Sequence, residues 1–186
     1  MLKKIYLLII LLVIPSKVIA LIEVDITRGN LDPLPLAVSP LSIDEKSRIF
    51  FEEEVKKNNI GSEISVIVEN NLRTSGLFNP LNRDAFLQAP DIANLKPRFE
   101  DWNLIKAQAL ITGKVSVVDS KLRVEFRLWD VLAAKEMMAL AFTTVPSNWR
   151  RVGHIISDKI YERLTGEKGY FDTRIIYVSE EGPKTQ

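Results

Sequence analysis

The stretch LRVEFRLW, residues 122–129, alternates without a break: Leu122, Val124, Phe126 and Leu128 on one side, Arg123, Glu125 and Arg127 on the other. A period of two over eight residues is that of a strand with one face on a core and the other in water, the pattern of an antiparallel sheet. Working outward, residues 109–118 form a preceding strand, and Asp119-Ser120 supplies the turn between the two. Residues 135–145 form a third strand, which completes a meander. On either side of it the period changes to that of a helix. Residues 62–75 place Ile64, Ile67, Val68 and Leu72 on one stripe, with Ser62 as cap and Gly76 as stop. After Pro146, with Ser147 as N-cap, Trp149, Val152, Ile156, Ile160 and Leu164 recur at three- and four-residue spacing until Gly166. Two amphipathic helices around a meander predict an α+β fold: a two-layer domain with a mixed or antiparallel sheet packed by two main helices.

Less regular stretches complete the domain. In PLPLAVSPL, residues 33–41, a short apolar strand over 36–38 stands among Pro33, Pro35 and Pro40, which favour a sheet edge or a strand start. Residues 42–60 carry Glu52-Glu53-Glu54 beside Lys56-Lys57 and read as a solvated helix or loop rather than an acidic metal site. LFNPLNRDAF begins with a short extended piece. A brief helix follows over 99–107, with Trp102, Leu104 and Ile105 facing inward.

The first twenty residues stand apart. MLKK supplies a charged start, residues 5–14 are an unbroken apolar run, and Val18-Ile19-Ala20 has the small-residue spacing of a cleavage site. Pro15 and Lys17 end the run well short of the ~20 apolar residues a membrane span needs, so residues 1–20 read as a cleaved secretory signal peptide. Removing Lys3, Lys4 and Lys17 leaves 22 basic residues against 24 acidic, a charge of about −2, which excludes a strong nucleic-acid footprint. With no cysteine there are no disulfides, thiolate metal sites or lipidation site, and the expected compartment is the bacterial periplasm. At 186 residues the chain is long enough to bury a core without such staples.

Chemistry is sparse. The single histidine, His154, lies inside the last helix without an identifiable acid–base partner. RTSG and LTGEKG lack the spacing of a phosphate loop, and no calcium-loop run of acidic residues is present. Trp102, Trp129 and Trp149 are expected in the core or at an interface rather than in a ligand groove. No catalytic residue, metal or cofactor is assigned. The tail is different in kind: LIEVDIT alternates Ile22, Val24 and Ile26 with Glu23, Asp25 and Thr27, ahead of a proline-containing linker. Such a segment pairs with its own sheet or adds a strand to a partner's edge. At the far end, YFDTRIIYVSE, residues 170–180, begins a further strand just before the chain ends.

PLAVSPL, IVENNLRTSGLFNPLNR, ALITGKVSV, WRRVGHIISDKIYERLTGEKG and YFDTRIIYVSE, in that order, resemble the N-terminal domain of the TolB family, soluble periplasmic components of the bacterial Tol-Pal system. The resemblance implies a non-enzymatic adaptor, with residues 34–166 as the α/β domain and 167–186 as linker and start of a six-bladed β-propeller. Residues 173–178 become the first strand of that propeller, and a chain ending at Gln186 is expected to be a fragment or a truncated product. The resemblance further implies that the tail, residues 21–33, binds the C-terminal domain of TolA by strand addition through Leu21, Ile22, Glu23, Val24, Asp25, Ile26 and Thr27. In other states the tail folds back toward the domain interface. The propeller would bind the outer-membrane lipoprotein Pal, and Gly166, Gly169 and Phe171 would form the interdomain hinge. The roles implied are outer-membrane integrity, constriction at division and protein import such as bacteriocin uptake. The alternative reading is an exported enzyme or cell-wall-binding accessory domain of similar shape.

Overall fold

A computed structural model describes residues 32–57 and 59–173. The signal peptide, nearly all of the tail and the strand expected over 173–178 therefore lie outside the described residues, apart from Asp32, Pro33 and Thr173. In chain order the elements are β1 (Leu34–Val38), β2 (Ser42–Ile43), α1 (Glu45–Val55), α2 (Ile60–Thr74), β3 (Phe78–Pro80), α3 (Pro90–Leu95), α4 (Phe99–Leu104), β4 (Ala109–Val118), β5 (Lys121–Asp130), β6 (Lys135–Thr144) and α5 (Trp149–Thr165).

The meander forms as its alternation demands. β5 pairs antiparallel with β4 along its whole length, from Lys121 opposite Val118 to Asp130 opposite Ala109. Asp119 and Ser120 both take positive φ, the geometry of the two-residue hairpin turn whose twist matches its strands. β6 pairs antiparallel with β5, with a register shift at Leu128/Trp129. On the other side β1 and β2 both run parallel to β4, and β3 runs parallel to β1, so the order is β3-β1-β4-β5-β6. β1 is thus an inner strand, and of the two positions its prolines favoured they take the strand start: Pro33 precedes it and Pro35 is its second residue. Pro35 is tolerated because its carbonyl accepts from Gln108 N (2.9 Å), just before β4 begins, so its missing N–H falls beyond the paired region. Pro40 lies in the gap between β1 and β2.

One face of the sheet carries the main core. Leu36, Val38, Ile111, Val115, Leu122, Val124, Phe126 and Leu128 meet Ile60, Ile64, Val68 and Leu72 of α2 and Val152, Ile156, Ile160 and Leu164 of α5. The opposite face holds a smaller cluster of Ala37, Trp102, Ala107, Leu110 and Val131, closed by α4. Trp102 is buried, whereas Leu104 is 74% exposed because it ends the short helix on its solvent side. Residues 42–60 resolve into β2 and α1, with Phe51 buried and Glu52, Glu53 and Glu54 exposed. α2 starts two residues earlier than predicted: Asn59 accepts from Ser62 N (3.3 Å), so Ser62 is the capped residue rather than the cap. Ser147 is likewise no cap, since Pro146–Asn148 form a 3₁₀ turn and α5 begins at Trp149. Gly76 and Gly166 both take φ 75° past the helix ends, as expected of glycine stops.

Candidate partner-binding surfaces

The tail enters the sheet at Leu34, which pairs with Phe78 of β3. Phe78 meets the ring of Tyr161 edge-on at 6.1 Å, and Tyr161 in turn meets Tyr170 at 5.5 Å and Phe171 at 5.8 Å. The tail therefore leaves the domain near the corner where α5 hands the chain to the residues that follow it. Burial, then the neighbouring Tyr170, raises the phenol of Tyr161 above its ordinary pKa.

The structure brings Gly166, Gly169 and Phe171 together around the end of α5. Gly166 closes the helix, its N–H bonded to Glu162 O at 2.9 Å. The chain then doubles back against the helix, and Asp158 accepts from Phe171 N (2.6 Å) and Asp172 N (3.1 Å). Gly169 passes so close that a Cβ would lie 2.4 Å from Asp158 Cα. Arg151, two turns earlier on the helix, bonds both oxygens of Asp172 at 3.0–3.1 Å, and that carboxylate raises the guanidinium pKa further. Asp158 and Arg151 were not legible as a clamp, because a lone acid and a lone base on a helix look like solvated face residues. The only sequence signal was a second glycine three residues after the helix stop.

β6 is the outer strand of the sheet, and from Met137 to Thr144 it carries no charge. Towards the helices it presents Met138 and Phe142, partly buried, and Leu140, 37% exposed. On the reverse face Ala139 and Ala141 stand beside Arg127 and Glu125 of β5. Those four residues and Arg123 line a shallow depression of about 200 Å³. Arg123 Nε lies 2.8 Å from Glu125 Oε1 and, with Lys114 further off, holds that carboxyl below its ordinary value.

Elsewhere the polar groups serve packing. Asn71 Nδ2 donates to Ser157 Oγ (3.0 Å) and lies 2.9 Å from His154 Nδ1, so the single histidine bridges α2 and α5. Trp102 Nε1 donates to buried Gln88 Oε1 (2.7 Å), Trp129 Nε1 to Thr112 Oγ1 (2.9 Å), and Trp149 packs in the main core. Among the described residues no group of three His, Cys, Asp or Glu is arranged to hold a metal, and no helix is long and apolar enough to cross a membrane.

Comparison with known proteins follows the same lines. The chain is 79% identical over 181 residues to the Tol-Pal system protein TolB of Pelagibacter ubique strain HTCC1062; that match covers 97% of this chain and 41% of the relative's length. The crystal structure of TolB from Acinetobacter baumannii superposes with a TM-score of 0.56 at 22% identity, covering 74% of this chain and 30% of that one, which supports the fold. A family model described as the TolB amino-terminal domain matches residues 22–137, from the apolar face of the tail to the bulge of β6. With that match spanning more than half of its length, the chain belongs to the TolB amino-terminal domain family.

Proposed function

We propose that the chain serves the Tol-Pal system as a non-enzymatic periplasmic adaptor, exported through its N-terminal signal. The observation that carries this reading is its 79% identity, over nearly its whole length, to a protein named as a Tol-Pal system component. In this reading residues 21–27 add a strand to the C-terminal domain of TolA, and the region beyond Thr173 engages Pal. The pair of contacts links the inner-membrane complex to the outer membrane, supports envelope integrity and constriction at division, and gives imported bacteriocins a handle. Two features favour an adaptor over an exported enzyme. His154 engages Asn71 between two helices, and among the described residues the outer strand β6 has one edge with no pairing strand.

The adaptor reading is tested by calorimetric titration against the C-terminal domain of TolA, comparing residues 21–186 with the same chain lacking 21–31. Heat of binding that disappears with the tail is the expected result. Binding that survives its removal contradicts the tail as the contact. The His154→Gln chain should bind as the parent does, since the substitution touches only the α2–α5 bridge.

A further inference from the structure

We propose that the outer edge of β6 binds a second copy of this chain, β6 lying antiparallel to β6 about a two-fold axis at Leu140. The contact is independent of the adaptor reading and is built from described residues alone.

Half of the backbone groups of β6 point away from β5, and no described strand pairs with them. Sheet edges are usually blunted by charge, proline or a bulge. From Met138 to Thr144 β6 has none of these, since its register shift and its charges, Lys135 and Glu136, all come earlier. The opposite edge, β3, is three residues long and ends in Pro80, so it offers no comparable ladder. The exposed edge is also its own complement. Met138-Ala139-Leu140-Ala141-Phe142 alternates large and small side chains and reads alike in size from either end. A two-fold contact requires such self-complementarity, because the same patch serves both copies. Centred on Leu140, the pairing sets Met138 opposite Phe142 of the second copy on the helix side, where Phe142 already stacks on Phe126 at 6.1 Å. It also covers Leu140, which is 37% exposed. On the reverse face Ala139 meets Ala141 of the second copy.

Charge selects this register. Arg127 lies across from Ala139, and Glu125 across from Ala141. With Leu140 on the axis, Arg127, Ala139 and then Ala141 and Glu125 of the second copy form one row across the sheet, and the two-fold repeats that row. The arginine and glutamate Cα atoms are then three strand spacings apart, about 14 Å at ~4.8 Å each, and only two methyl groups stand between the side chains. Arg127 is held now by Glu136 at 3.3 Å and Glu125 by Arg123 at 2.8 Å, all of them partly exposed, so each can turn toward the axis. The neighbouring registers set like charges in line instead. An axis at Ala139 aligns Arg127 with Arg127, and an axis at Ala141 aligns Glu125 with Glu125 and Arg127 with Arg123.

The chain contains no native cysteine, so a single introduced cysteine closes a disulfide only with another copy. Directly opposite residues of an antiparallel pair have Cα atoms about 4.5–5.5 Å apart, within disulfide range. Thr143, exposed on the same strand, would lie roughly 20 Å along the strand from its own counterpart at ~3.4 Å per residue. In the full chain under mild oxidation, Leu140→Cys should therefore link two copies about tenfold faster or more than Thr143→Cys. By sedimentation, Arg127→Glu should raise the dimer dissociation constant about tenfold or more, because each row then carries like charges, and adding Glu125→Arg should restore it. Equal linking at the two positions, or a dissociation constant unmoved by Arg127→Glu, overturns the contact; should a charge variant fail to fold, the cysteine comparison still decides. A parent chain that sediments as a monomer at every concentration tested also overturns it and leaves the edge to a foreign strand. None of these outcomes bears on TolA binding, which is read from the dependence of the titration on the tail.

Discussion

Asp44 shows how a single side chain joins local and tertiary structure. Its carboxylate caps α1 by accepting from Ser47 N (2.9 Å) and from Ser47 Oγ (2.9 Å), and that hydroxyl accepts from Val117 N of β4 (2.9 Å). Asp44→Ala should cost about 1 kcal/mol in urea unfolding, the ordinary worth of an N-cap. The bond from Ser47 N holds the carboxyl of Asp44 below its ordinary value. A depressed carboxylate contributes stability that is complete above its unfolded value and is lost as pH falls through the folded one. Stability should therefore drop below about pH 4 more steeply in the parent than in Asp44→Asn, which keeps the cap without the charge. At the junction, Gly169→Ala should destabilise by about 1–3 kcal/mol, because its Cβ would meet the Asp158 backbone rather than a side chain able to move aside. Caps of this kind are where sequence reading went astray. Ser62 and Ser147 looked like helix starts, yet Asn59 and a 3₁₀ turn took those places, since any of several neighbouring polar residues can cap and packing selects among them.

At the scale of elements, the meander and the two main helices were legible because their periods are long and unbroken. Leu122 to Leu128 and Trp149 to Leu164 each repeat one pattern and bury the face it names. β1 was legible as a strand but not as an inner one: its pairing partners lie about 40 and 70 residues away, and nothing local reports them. α1 was hidden by its charge, since only Phe51 and Ser47 of its residues are buried. The contact of α2 with α5 is close because Gly153 has no side chain there; a Cβ would lie 2.8 Å from Ile67 Cγ2. Gly153→Ala should therefore destabilise, although alanine is the better helix former by about 1 kcal/mol. Combining it with Ile67→Ala should cost less than the two single changes added together, a non-additivity that urea melts of the four chains would show.

Across the whole molecule, the described residues form a frame with two consequential margins. One is the corner where the tail enters and the chain beyond α5 begins, linked through Phe78, Tyr161, Tyr170 and Phe171. The other is the uncharged edge of β6. The tail's alternation could be read from sequence, but the edge could not be seen until the strand order placed β6 outermost. The measurement that tests the proposed adaptor role most directly is calorimetric titration of residues 21–186, with and without residues 21–31, against the C-terminal domain of TolA. Heat of binding that disappears with the tail is the predicted result. Binding that survives its removal would contradict the account.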